Sequence, residues 1–404
     1  MPNFPVAAQN LTRAAFNHLA RLGRRSGQRS RRTMKQVRES LKEARANVRA
    51  AAAATRDASL TTRSGAIRMT RYWRRVHGRT LPRVAGDVRA RVELWRVARG
   101  NGPIIVGPWL SEVGYEVLYW VPFLRWFVDY YRVDPARVVA VSRGGVSAWY
   151  GDIAREYVEL LELYPPDEFA AKNRARLSND QKQLGISGFD SEILDKVRAR
   201  FGGNAAICHP SVMFRLLRQF WLGNESLDYA LSYLSYRPVG TGTSVPVPPL
   251  PPDFVAMKFY SARSLAADAR HRELLRGLIR RIAQRHPVVL LSTGLALDEH
   301  EDFLFADLPG VTNVAGSMRP ENNLGVQTEI IRRARRFVGT CGSVAWLAPM
   351  LGTDTLAVYS DDHLLTSHLY AARHGYASMS AGRFAPLDLN ALEQSDVNLS
   401  ELPC

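Results

Sequence analysis

The sequence predicts an α/β chain of two doubly wound domains facing across a cleft, with a basic helical extension ahead of them. Three observations carry this. From Pro103 onward, short apolar strand signals alternate with helical stretches, the pattern of a parallel sheet. One segment, Arg237 to Asp253, holds six prolines and two glycines, and divides that alternation in two. The charge is also divided: residues 1–100 carry 24 Lys+Arg against 5 Asp+Glu, net +19, whereas the rest of the chain is net −3. The basic excess therefore belongs to an extension, which argues against a nucleic-acid-binding body. The expected organisation is an extension over 1–99, a first α/β domain over 100–237, a linker over 238–253, a second α/β domain over 254–385 and a tail over 386–404.

In the extension, Met34, Val37, Leu41, Ala44, Val48 and Ala51 recur at alternating steps of three and four, a helical stripe flanked by Arg31, Arg32, Lys35, Arg38, Lys42, Arg45 and Arg49. Such a basic amphipathic helix can lie on an anionic membrane, pair with another helix or stay solvated, and an Arg-rich, acid-poor start also fits a transit peptide. Residues 13–79 are the candidate membrane contact, and nucleic acid is disfavoured because aromatics are scarce before Tyr72. No apolar run reaches the roughly 18 to 20 residues that span a bilayer, and residues 1–22 contain no secretory h-region. Three distant cysteines, Cys208, Cys341 and Cys404, fit neither a disulfide framework nor a zinc site. A cytoplasmic protein, peripheral on the inner face of the cell membrane, is the expectation.

The first domain opens with strand Pro103 to Gly107, continues into an apolar helix through Trp126 and returns in strand Arg137 to Val141. Ser142-Arg143-Gly144-Gly145 then stands where open parallel sheets put ligand loops. Residues 151–235 read as helices and polar loops without a settled order. The second domain runs through strand Phe254 to Tyr260, helix His271 to His286, strands Val288 to Ser292 and Val311 to Ala315, and helix Asn323 to Arg335. It then reaches Arg336-Phe337-Val338-Gly339-Thr340-Cys341-Gly342-Ser343, an apolar strand turning through glycine into a helix that starts at Ser343, followed by strand Thr355 to Tyr359. The first amides of such a helix lack intrahelical partners and can point at a phosphate.

That last stretch resembles the second domain of GT-B-type glycosyltransferases, the superfamily of heptosyltransferases and fucosyltransferases, and the resemblance extends over about residues 100–385. It implies two Rossmann-like domains and a metal-independent transfer of sugar from a nucleotide-sugar to an acceptor hydroxyl, in surface-polysaccharide or glycolipid assembly. The expected donor-binding residues are Lys258, Arg263, Asn313, Ser317, Arg319, Gln327, Thr340, Gly342, Ser343 and Asp361. Lys258 and Arg263 follow a core strand, where cations can neutralise a departing diphosphate; both also fit a solvated rim. Asp361 fits the N-cap of a following helix as well as a contact to the donor sugar.

On the acceptor side, Glu112 and Glu116 straddle Gly114 at the start of the apolar helix, and either carboxylate suits the base that takes the acceptor proton. A partly apolar setting would raise its pKa, whereas the helix dipole alone also favours an acid there. Arg143, Trp149 and Asp152 are the expected acceptor contacts. No Asp-x-Asp pair, Walker A loop or dinucleotide glycine fingerprint occurs, so no metal or other cofactor is expected; Asp298 to Asp302 reads as a solvated acidic surface. The alternatives left open are a nucleotide-sugar epimerase or pyruvyl transferase on the same fold, or a non-catalytic scaffold recruited by the basic arm.

Overall fold

The computed structural model describes residues 86–177, 182–201, 203–240, 245–293, 301–305, 307–379 and 382–394. The stripe Met34 to Ala51, residues 13–79, Asp298 to His300, part of the linker and Cys404 lie outside them. The chain divides into two units between Val92 and Glu93, and residues 86–99 are helical. No helix of the described residues is long and apolar enough to cross a membrane.

The second unit holds two parallel sheets. The first contains β1 (Ile104–Val106), β2 (Val138–Ser142), β3 (Glu156–Glu159) and β4 (Ala206–Cys208) in the order β3-β2-β1-β4. β1 and β2 are buried along their whole length, as strands covered on both faces must be. Helix α1 follows β1 in three consecutive segments, Val113–Tyr115, Glu116–Trp120 and Val121–Tyr131, the middle one wound as a π-helix. It ends where Arg132 turns left-handed at φ 54°. Residues 151–235, unordered by sequence reasoning, supply β3, α2 (Pro166–Leu177), α3 (Gly188–Arg200), β4 and α4 (Pro210–Trp221).

The second sheet contains β5 (Val255–Lys258), β6 (Val288–Leu290), β7 (Val311–Asn313), β8 (Arg336–Thr340), β9 (Asp354–Tyr359) and β10 (Phe384–Asp388), in the order β10-β9-β8-β5-β6-β7. Helices α5 (Ala269–Ala283), α6 (Asn323–Arg333), α7 (Ser343–Met350) and α8 (Thr366–Met379) connect its strands. α5 starts before the expected His271 because Asp268 accepts the His271 N–H at 2.8 Å. β7 stops at Asn313, whose side chain accepts the Ala315 N–H at 2.8 Å and turns the chain out of the sheet.

Main-chain and buried side-chain bonds join the parts carrying the two sheets. Gly325 N–H donates to Gly144 O at 2.8 Å, and the Trp149 indole donates to Thr328 Oγ1 at 3.0 Å. Buried Arg125 pairs with Asp152 and donates to Arg237 O at 2.6 Å, while Val239 N–H donates to Met350 O at 2.9 Å. The start of the proline-rich connection is thus fastened at both ends.

Candidate active site

In the second sheet the chain leaves β5 in one direction through β6 and β7, and in the other through β8, β9 and β10. The carboxyl ends of β5 and β8 therefore flank a topological switch point, where open α/β sheets form a crevice. Register pairs Lys258 with Gly339, so Lys258, Tyr260, Thr340 and the turn into α7 meet at this edge. Thr340 Oγ1 accepts the Tyr260 N–H at 2.9 Å and donates to Tyr260 O at 3.1 Å, fixing the two chain ends together. Lys258 is largely buried, 3.6 Å from Asp302, whose other oxygen accepts the Thr293 N–H at 2.7 Å.

The turn into α7 is strained. Gly342 has φ 148°, and a Cβ there would lie 2.5 Å from the Tyr260 hydroxyl, so only glycine fits. Ser343, a non-glycine, sits at φ 40°. Such a conformation costs on the order of 1–3 kcal/mol and persists where the surroundings enforce it. No side chain caps the helix. The Cys341 N–H is committed to Val358 O, and the Ala345 N–H to Gly342 O. A Cβ on Gly114 would stand 3.1 Å from the Ser343 nitrogen, so glycine there lets the first turn of α1 come up to the start of α7.

Glu112, the N-cap residue of α1, is half-exposed two residues before Gly114, and its carboxylate pairs with Lys182. The Lys182 ammonium stands 3.8 Å from the Tyr115 ring centroid. Tyr115 and Tyr119, one turn apart on α1, hold the His368 imidazole of α8 between them: Tyr119 Oη lies 2.7 Å from Nδ1 and Tyr115 Oη 3.3 Å from Nε2. Trp221 packs edge-on against both tyrosines at 5.1 Å. Burial, then the neighbouring Lys182 cation, lower the His368 pKa to about 4 against the opposing pull of Glu112. The imidazole is therefore neutral at pH 7. None of His368, Lys182, Tyr115 and Tyr119 is among the residues expected from the sequence; the i, i+4 tyrosine spacing was the available signal.

Glu116 is in a different environment. It is fully buried, and one carboxylate oxygen accepts from the Ser142 and Tyr150 hydroxyls, both at 2.5 Å. Burial raises its pKa to about 7, outweighing those donors and Arg143. Glu116 thus combines a raised pKa with no access to solvent. The loop after β2 is not open to a ligand either: the Gly144 and Gly145 N–H groups both go to the Glu159 carboxylate, at 3.0 and 2.8 Å. A Cβ on Gly325 would stand 2.5 Å from Gly145 O, so α6 closes over this loop.

The remaining candidates are dispersed. Arg143 is buried and donates to the carbonyls of Trp109 and Ser111; Trp149 lies in the seam, and Asp152 holds Arg125. Arg263 is exposed, and its loop joins that of Asp361 through Ser360 N–H and Asp361 N–H, both donating to Ser264 O. Asp361 does not cap a helix as expected: it accepts the His363 N–H at 2.8 Å in a turn, and α8 begins at Thr366. Asn313, Ser317 and Arg319 are exposed beyond the edge strand β7, three strands from β8, or about 14 Å. Gln327 is buried on α6, donating to Asn323 at 3.3 Å.

No family model and no curated protein matches the chain. Among solved structures it is similar to the iron-containing dodecameric glycosyltransferase TibC from enterotoxigenic E. coli, at 10% identity over 64% of this chain and 58% of that one, with a TM-score of 0.37. The chain thus spans less than two thirds of the length of TibC. It is also similar to the E. coli heptosyltransferase WaaC with ADP, at 15% identity over 72% of this chain and 98% of that one, with a TM-score of 0.34. A third is a family 9 glycosyl transferase from Veillonella parvula, at 10% identity over 76% and 91%, with a TM-score of 0.38. All three are glycosyltransferases, and all three are similar to this chain at low scores.

Proposed function

We propose that the chain transfers a sugar from a nucleoside-diphosphate sugar to an acceptor hydroxyl, with no resident metal, at the start of α7. One observation carries the reading: a strained, uncapped helix start stands at the β5/β8 switch point beside the strand of Lys258, and against it lies the turn of α1 that begins at Glu112. Two amide dipoles and a lysine suit a diphosphate; an accessible carboxylate suits the acceptor. Glu112 takes the proton of the acceptor hydroxyl, whose oxygen forms the new bond to the anomeric carbon. The bond from that carbon to the leaving phosphate oxygen breaks, with its electron pair going to the nucleoside diphosphate. The Gly342 and Ser343 amides, with Lys258, stabilise the charge that develops there.

Calorimetry of the full chain against UDP, GDP, ADP, CMP and dTDP and their sugars, repeated with Lys258→Ala and with EDTA, tests this. The expected result is one nucleotide bound, weakened by the substitution and unaffected by EDTA. With an acceptor found, Glu112→Gln should lower turnover by about 10²–10⁴-fold while leaving nucleotide affinity alone. Absence of any nucleotide binding would favour the scaffold reading. The proposed setting is surface-polysaccharide or glycolipid assembly, with residues 13–79 on anionic lipid; co-sedimentation with anionic but not neutral vesicles tests that part.

A further inference from the structure

The five residues between β1 and Glu112, Gly107 to Ser111, are held by an unusual number of buried side chains. Gly107 N–H donates to Cys208 O, and Trp109 N–H to Val141 O, at 3.1 and 2.9 Å. Further polar groups of the loop go to three residues from other parts of the chain, Arg143, Arg176 and Gln183, all of them buried. Arg143 donates to Trp109 O and Ser111 O, and Arg176 donates to Leu110 O at 2.8 Å. Gln183 makes three contacts: its Nε2 donates to Pro108 O at 2.9 Å, and its Oε1 accepts from Leu110 N–H at 2.9 Å and from Ser111 Oγ at 3.2 Å.

Gln183 is itself anchored. Its Nε2 also donates to Asp190 Oδ1 at 2.8 Å, and the same oxygen lies 3.1 Å from His209 Nε2. The Ser211 N–H donates to His209 Nδ1 at 3.2 Å, which assigns the ring proton to Nε2, facing Asp190. His209 directly follows β4 and caps α4, so the chain of bonds runs from the first sheet to the Glu112 loop. Lys182, the residue before Gln183, meets the Glu112 carboxylate. Two buried guanidinium groups and a buried carboxamide thus converge on polar groups of one short loop and hold it in place.

We propose that Gln183, anchored through Asp190 to His209, is a positioning residue: it fixes the Glu112 loop and, through the adjoining Lys182, the cation that faces Glu112. This rests on the reading that Glu112 receives the acceptor proton. A carboxylate displaced by about 1 Å from its productive position can lose on the order of 10²-fold in rate.

Gln183→Glu is the test. It keeps the shape and the acceptor for Leu110 N–H, but it removes the donor to Pro108 O and sets a second carboxylate against Asp190. The expected result is faster hydrogen exchange at residues 107–112 with unchanged exchange at 343–350, unchanged nucleotide affinity, and turnover at saturating substrates lowered by about 10–100-fold without a rise in KM. Ser111→Ala removes only one of the three contacts and should give the same pattern, several-fold weaker, should Gln183→Glu fail to fold. Faster exchange at 107–112 with wild-type turnover overturns the proposal. So does a loss of turnover that merely tracks the loss of folded protein. A wild-type chain that neither binds a nucleotide nor turns over removes the role of Glu112 and with it the proposal, while the exchange data still report whether Gln183 holds the loop.

Discussion

Glycine turns follow both β2 and β8, and they differ in how they are closed. After β2, Gly144 and Gly145, at φ 84° and 76°, turn their N–H groups onto the Glu159 carboxylate of the adjoining strand. After β8, Gly342 and Ser343 start a helix that no side chain caps. The register explains the contrast: Ser142 of β2 pairs with Glu159, whereas Gly339 of β8 pairs with Lys258. After β2 a carboxylate on the neighbouring strand fills the turn; after β8 the neighbouring strand ends in a cation, which on the proposed reading joins the amides in holding an anion from outside. Glycine permits the convergence of amides, and the adjacent strand decides what they converge on.

The largest effect that could break this comparison is expected in the first turn. Glu159→Ala leaves the N–H groups of Gly144, Gly145 and Leu161 without their acceptor, and urea unfolding should report a loss of about 2–4 kcal/mol. A change below about 0.5 kcal/mol would mean that the carboxylate is incidental there. The second turn responds in binding. Lys258→Ala should weaken the nucleotide found by calorimetry by about 10–100-fold, equivalent to the loss of one charge-assisted contact. Lys258→Glu gives the second turn the chemistry of the first, and it should remove nucleotide binding altogether. Retained affinity in Lys258→Glu would separate the turn from any anion.

Much of the fold was legible because its signals are local. Strands β1, β2, β5 and β8 are short apolar runs after punctuation, and Gly342 at the helix start stood in the expected place. The site was less legible because its partners are distant in sequence. Nothing local distinguishes Glu112 from Glu116, and the difference arises because α1 turns Glu116 toward Ser142, the last residue of β2, and Tyr150 beyond it. The Gly144–Gly145 turn looked like a ligand loop for the same reason: Glu159 fills it from the next strand. His368 meets Tyr115 across more than 250 residues, and Gln183 reaches Leu110 from a segment without a clear periodicity. Local propensity finds elements, but burial and long-range pairing assign roles.

The smallest effect sharpens the contrast through titration, because two buried ionisable groups, Glu116 against the end of β2 and His368 against α1, shift in opposite senses. Burial raises Glu116 from its ordinary 4.5 to about 7, so the folded chain holds a proton there that the unfolded chain releases. Its contribution to stability is fully present below pH 4.5 and is lost as pH rises toward 7. His368 is lowered from 6.5 to about 4 by burial and Lys182, so its contribution is present above pH 6.5 and is lost as pH falls toward 4. Between about pH 4.5 and 6.5 the two slopes oppose each other. Urea unfolding across this window, with each variant compared with the wild type, separates them. The stability of Glu116→Gln relative to wild type should rise with pH, and that of His368→Gln should fall, each by on the order of 1 kcal/mol. A Glu116→Gln difference that is flat with pH would mean that water reaches the carboxylate, and the division between a sealed glutamate under the first turn and an accessible one beside the second would fail.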